Sequence, residues 1–202
     1  IISESCECRV TDHPAIALIE YASIAVGTQA SDAIVKKAPI SLVRAGTLQP
    51  GKFAVLFSGE VAAVEESFVE GLRVGAESVI DRVLLPDVHH QGHSAILGNS
   101  LSWQAATIGV IETQTMSATI EAADAAVKGA EVQVVQIRLG DGLHGKGLVH
   151  FAGELADVEA AIEIGSKRVA YKNQTVCTAV IPRIDDDLRG VLGKSTYFLE
   201  GR

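Results

Sequence analysis

The same order of residues occurs twice in this chain, and that repetition constrains the fold more than any other feature. Ile19-Glu20 is answered by Ile111-Glu112, and Asp32-Ala33-x-Val35-Lys36-x-Ala38 by Asp124-Ala125-x-Val127-Lys128-x-Ala130, each 92 positions later. Past a short loop in each copy the separation becomes 94. There Phe57-x-Gly59-Glu60 matches Phe151-x-Gly153-Glu154, and Val64-Glu65 matches Val158-Glu159. Leu85-Pro86 and Ile181-Pro182 stand 96 apart. Spacing that changes only in loops is the mark of an internal duplication.

Each copy reads as β-α-β-β-α-β. In the first, an apolar run at 15–23 predicts a strand. Ala30, Ala33 and Ile34 share one face of a helix at 28–37, which Pro39 stops. Strands at 40–45 and 53–57 flank the first loop. Val61, Val64, Phe68 and Leu72 mark a helix at 60–75, and a strand follows at 79–85. The second copy predicts strands at 106–113, 132–139, 148–152 and 175–181, helices at 118–129 and 154–170, and a short last helix at 185–192. The expected fold is therefore α+β: two tandem ferredoxin-like domains, each with helices on one face of an antiparallel sheet. The division is a flexible leader at 1–13, domains at 14–88 and 105–184, a connector at 89–104, and a C-terminal helix and tail at 185–202. Trp103, the only tryptophan, is expected to pin the connector against one of the halves.

Composition narrows the function. The net charge is −8, and no cluster of Lys and Arg offers the phosphate neutralisation that nucleic acid needs. No apolar run is long enough for a membrane-spanning helix. The three cysteines, Cys6, Cys8 and Cys177, make no disulfide framework and suit a reducing, cytoplasmic compartment. Cys6 and Cys8 are two thiols where structural zinc needs four ligands. Cys177 is expected to be a small core residue of its strand. His89, His90 and His93 fall in a stretch broken by Gly92, with no carboxylate or thiol to complete a metal set, so a surface linker is expected there.

The loops between the second and third strands carry the most specific chemistry. Leu48-Gln49-Pro50-Gly51-Lys52 and Asp141-Gly142-Leu143-His144-Gly145-Lys146-Gly147 both reach a Gly-Lys step. They come close to the phosphate-binding pattern G-x-x-x-x-G-K-[ST]. The hydroxyl that would hold magnesium is replaced by Phe53 and Gly147, and both loops lead into strands rather than a helix N-terminus. No Ser-His-Asp set, catalytic carboxylate pair or complete metal set stands out, so no enzyme activity is expected.

The repeated Asp-Ala-x-Val-Lys-x-Ala element, the Gly-Lys loops, the Gly-Glu helix starts and the Ile181-Pro182-Arg183 ending resemble the shell domains of bacterial microcompartments, over about residues 15–184. Two such domains in one chain resemble the tandem-domain, trimeric, pseudohexameric class. The resemblance implies a homotrimer that tiles a protein shell beside hexameric and pentameric shell proteins, with a central pore for small metabolites. It puts Thr47, Leu48, Gln49 and Pro50 of the first copy, and Asp141, Gly142, Leu143 and His144 of the second, at the pore. It puts Lys36, Lys128 and Arg183 at the tile edges, with Asp87 where the first copy departs from the edge arginine. Some members hold an iron–sulfur cluster through a loop cysteine. Gln49 stands at that position and supplies no thiolate, so neither cofactor nor metal is expected. The alternative within the same fold is a trimeric regulatory protein that binds a metabolite between subunits.

Overall fold

The computed structural model describes residues 15–140, 142–172 and 176–194. The leader with Cys6 and Cys8, and Asp141, lie outside the described residues. The first copy runs β1 (Ala15–Tyr21), α1 (Ile24–Lys37), β2 (Ser41–Leu48), β3 (Lys52–Gly59), α2 (Val61–Gly75) and β4 (Val79–Leu85). After α3 (His90–Ile96) the second runs β5 (Thr107–Thr113), α4 (Met116–Gly129), β6 (Gln133–Leu139), β7 (Gly147–Gly153), α5 (Leu155–Val169) and β8 (Cys177–Ile181); α6 (Asp186–Lys194) follows. Both sheets are antiparallel with the same strand order, β2-β3-β1-β4 and β6-β7-β5-β8.

Helices α1 and α4 begin earlier than hydrophobic spacing alone suggests, because each has a hydroxyl cap. Ser23 Oγ accepts from the Val26 amide and Thr115 Oγ1 from the Ala118 amide, both at 3.3 Å. Each cap satisfies one of the amides a helix start leaves open. Helices α4 and α5 cross closely because Gly165 lacks a side chain; a Cβ there would lie 2.9 Å from the Ala122 carbonyl oxygen.

All seven residues of β1 are buried, so both faces of the first sheet are covered at that central strand. Ala15, Ala17, Ile19 and Tyr21 pack with Ile34, Phe53, Val55, Phe57 and Val64 under the copy's own helices. Ile16, Leu18, Ala54, Leu56, Val83 and Leu85 point the other way and join a core that includes Ile96, Met116 and Ile120. The second copy thus covers the first copy's outer face, chiefly by laying α4 across β1 and β4.

The connector is more than a surface linker. It forms α3 across Gly92 and buries Ala95 and Ile96. Gln91 Oε1 accepts from the Val134 amide at 2.9 Å, and the Leu101 amide donates to Val135 O at 2.9 Å, which straps the connector to β6. Burying one Ile contributes about 1.5–3 kcal/mol, more than the roughly 1 kcal/mol that a helical glycine costs. Trp103 packs with Ile108, Val135, Ala152 and Ile184, on the second copy.

Cys177 is also not a core residue. It lies in β8 but is exposed, because its register partner Glu112 and the rest of that end of the second sheet's outer face have no helix over them.

Candidate functional site

The two loops lie side by side. The first closes with the Gly51 amide donating to Leu48 O at 2.9 Å. In the second, the Gly140 amide donates to Lys146 O at 2.9 Å, and the Leu143 and Lys146 amides donate to Gly140 O and Leu143 O at 3.0 Å. Gly51, Gly140, Gly142 and Gly145 all have φ between 70° and 85°, a region in which a side chain is strained; His144 shares it at φ 53°. Gly140 sits against Leu48, where a Cβ would come within 2.7 Å of Leu48 Cδ2. A Cβ on Gly145 would lie 3.4 Å from Gln49 O. Thr47, Leu48, Gln49, Gly51 and Gly142 wall one shared cleft. Thr47, Gln49, Pro50, Gly142 and His144 are exposed, while Leu48 and Leu143 are half-buried.

The remaining sequence candidates lie elsewhere. Lys36 and Lys128 each pair with the aspartate one turn earlier, Asp32 and Asp124, at 2.7 Å. The first pair is open to solvent. In the second, Asp124 is buried and also accepts from the His89 amide at 2.9 Å, while Lys128 Nζ donates to Asp87 O. Arg183 and Asp87 are exposed just beyond β8 and β4. Burial lowers the His89 pKa, with a further push from the adjacent His90 ring, whose centroid is 4.3 Å away. Among the described residues, no three His, Cys, Asp or Glu side chains converge as a metal ion requires.

A polar contact between the two copies was not singled out from the sequence. Glu20 is 0% exposed on the outer face of the first sheet, with Oε1 accepting from the Ser117 amide at 2.8 Å and the Ser117 hydroxyl at 2.7 Å, at the N-terminus of α4. Burial raises its pKa, and the Ser117 bonds oppose the rise. Beside it, Asp81 accepts from the Thr115 hydroxyl, and Lys172 Nζ bridges Asp81 (2.8 Å) to Glu121 (3.1 Å). Arg168 and the Tyr171 hydroxyl also hold Glu121. Burial disfavours the charged form of Lys172, but the two carboxylates outweigh it and raise its pKa. The sequence signal was the repeated Ile-Glu pair: a carboxylate at the same strand position in both copies.

The counterpart of this contact is open. The Glu112 side chain is 41% exposed and, among the described residues, pairs only with Lys146, at 2.6 Å. Ile24 and Val35, which match the covering residues Met116 and Val127 of α4, are 41% and 42% exposed on α1. Each chain therefore carries an uncovered end of a sheet face, at Glu112 and Cys177, and an uncovered helix face, which repeat a contact it has already made internally.

A model of the BMC domain matches residues 15–88 and 107–184. The bacterial microcompartment shell protein PduT of Citrobacter freundii is 34% identical over 169 residues, covering 84% of this chain and 92% of that protein. The carboxysome assembly protein CcmO of a Synechocystis strain is 26% identical over 92% of this chain and 67% of its own length. The crystal structure of a microcompartments protein from Desulfitobacterium hafniense superposes with a TM-score of 0.79 at 38% identity, covering 88% of this chain and 99% of that one. The chain belongs to the BMC domain family, as a tandem-domain shell protein of a bacterial microcompartment. Its two-domain plan is shared with PduT over nearly that protein's full length, and its role is structural rather than enzymatic.

Proposed function

We propose that three copies of this chain close head to tail into a six-domain tile with a central pore. One observation carries the reading: the unmatched pair of faces just described. A helix face and a sheet face that differ on one molecule form a heterologous contact, and such contacts either close into a ring or run on as a filament. In the ring, α1 of one chain covers the second sheet of the next, as α4 covers the first sheet within the chain. The buried Glu20 contact at the internal junction supports the same geometry at the open one.

In such a tile the paired loops converge on the axis. Thr47, Leu48, Gln49, Pro50, Asp141, Gly142, Leu143 and His144 line the pore, which passes small metabolites. The crowding of Gly140 and Gly145 against the first loop supports this, because backbone must approach backbone there. Lys36, Lys128, Arg183 and Asp87 lie on tile edges that meet hexameric and pentameric shell proteins. Asp87 opposite Arg183 makes alternate edges chemically unequal. Edge contacts are individually weak and add through repetition.

The test is mass and shape in solution by light scattering and negative-stain microscopy, with and without a hexameric shell partner. The tile reading expects three times 21.2 kDa and joint sheets or closed shells with the partner. A stable monomer contradicts the pore. A trimer that never assembles further, and answers instead to a small ligand, favours the regulatory reading.

A further inference from the structure

Beside the paired loops, with Thr47 and Leu48 in its wall, a cavity of about 170 Å³ lies between the two copies. It exists because the copies fill the same place differently. In the first sheet, Gly46 pairs with Ala54 and Arg44 with Leu56. At the matching positions of the second sheet, Arg138 pairs with Leu148 and Gln136 with His150. The second copy thus puts longer side chains at three of the four positions. In the first copy a Cβ on Gly46 would meet nothing within 4 Å. The walls are Leu18, Ala54, Leu56, Met116 and Leu139, and Arg44 is the one charged lining residue.

Those walls select a ligand class. An apolar cavity of roughly 150 Å³ accepts a six-heavy-atom guest such as benzene. Among the described residues Arg44 makes a single long hydrogen bond, 3.5 Å to Leu97 O. A guanidinium carries five N–H donors arranged to take a carboxylate by two parallel bonds. We propose that this cavity binds a short-chain aliphatic monocarboxylate, with its hydrocarbon against Leu18, Leu56 and Met116 and its carboxylate on Arg44. The site lies within one chain, so it stands or falls separately from ring closure.

Met116 is the only methionine in the chain, so a methyl-13C methionine label puts one reporter in the cavity wall. The full chain is titrated with butyrate, which has six heavy atoms, and with 1-butanol as the uncharged match. A saturable shift of the Met116 methyl is expected, with butyrate up to about fivefold tighter than butanol, the range of an ion pair on an exposed arginine. Arg44→Met should weaken butyrate up to about fivefold on the same grounds. Gly46→Leu and Gly46→Arg, which fill the cavity, should abolish the shift; their melting curves show whether each is folded. No saturable shift, equal binding of butyrate and butanol, or undiminished binding in Arg44→Met overturns the proposal.

Discussion

Glu112→Ala separates the ring from a simple surface reading. On the isolated chain Glu112 is a half-exposed partner of Lys146, and such a pair contributes about 0–1 kcal/mol. In the ring Glu112 takes the place of Glu20, facing the N-terminus of the preceding chain's α1. Ser117 is matched there by Ala25, which keeps the amide but has no hydroxyl. One hydrogen bond to a charged group is then lost per junction, about 1.5–3 kcal/mol, or about 5–9 kcal/mol over three junctions. At 1.4 kcal/mol per decade that lowers the trimer association constant by about three to six orders of magnitude. Because two concentration factors enter trimer formation, the half-dissociation concentration rises about 30- to 1000-fold. Sedimentation velocity over a dilution series reads this directly. Denaturant unfolding of the separated chain should change by no more than about 1 kcal/mol. Glu20→Ala should do the reverse, destabilising the fold within each chain. A Glu112→Ala trimer that dissociates at the wild-type concentration refutes the reasoning.

Lys172→Met removes the cation between two buried carboxylates and should cost about 3 kcal/mol, the low end for breaking a buried pair, since Thr115 and Arg168 remain; a loss below about 1 kcal/mol in urea unfolding counts against the network. Burial, reinforced by Arg138, holds the His150 pKa down at about 4 against an ordinary 6.5. A depressed folded pKa favours the neutral ring in the fold, so its stability contribution is full above pH 6.5 and is lost as pH falls toward 4, about 3 kcal/mol in all. His150→Leu, the residue found at the matching Leu56, should remove that part of the acid sensitivity, and an unchanged stability difference between pH 7 and 4.5 contradicts it. Lys36→Ala should leave stability within about 0.5 kcal/mol while weakening lateral assembly on electron micrographs. Lys128→Ala should cost about 1–3 kcal/mol, because it frees a buried Asp124 and the Asp87 carbonyl; equal melting temperatures for the two variants would contradict this.

The duplication made most of the fold legible. Each copy has the expected six elements in the expected order, and β4 falls at 79–85 as the apolar run suggests. The starts of α1 and α4 were less legible, because Ser23 and Thr115 interrupt the apolar spacing while supplying the caps. Helix α3 was hidden by Gly92, whose low propensity is outweighed by burial of Ile96 that only tertiary structure reveals. Cys177 reads as core because strand residues of its size usually are; nothing local says which sheet face lacks a cover. The loop candidates were legible as a repeated Gly-Lys pattern. The Glu20–Ser117 contact was not, since its partners are 97 residues apart and the carboxylate resembles any other polar residue in a strand.

The most direct test of ring closure uses the native Cys177. Within the chain, the α4 cap Thr115 donates to Asp81. Ser23 is the matching cap of α1, and Cys177 stands at the register position of Asp81. In the ring, Ser23 of one chain faces Cys177 of the next. With Cys6 and Cys8 replaced by serine, Ser23→Cys is oxidised and run on a non-reducing denaturing gel. A disulfide needs Cβ atoms about 3.5–4.5 Å apart, so only this docking brings the thiols within reach. Closure predicts a covalent species that stops at three chains and collapses on reduction. A chain that stays uncrosslinked, or a ladder that runs past three, contradicts it.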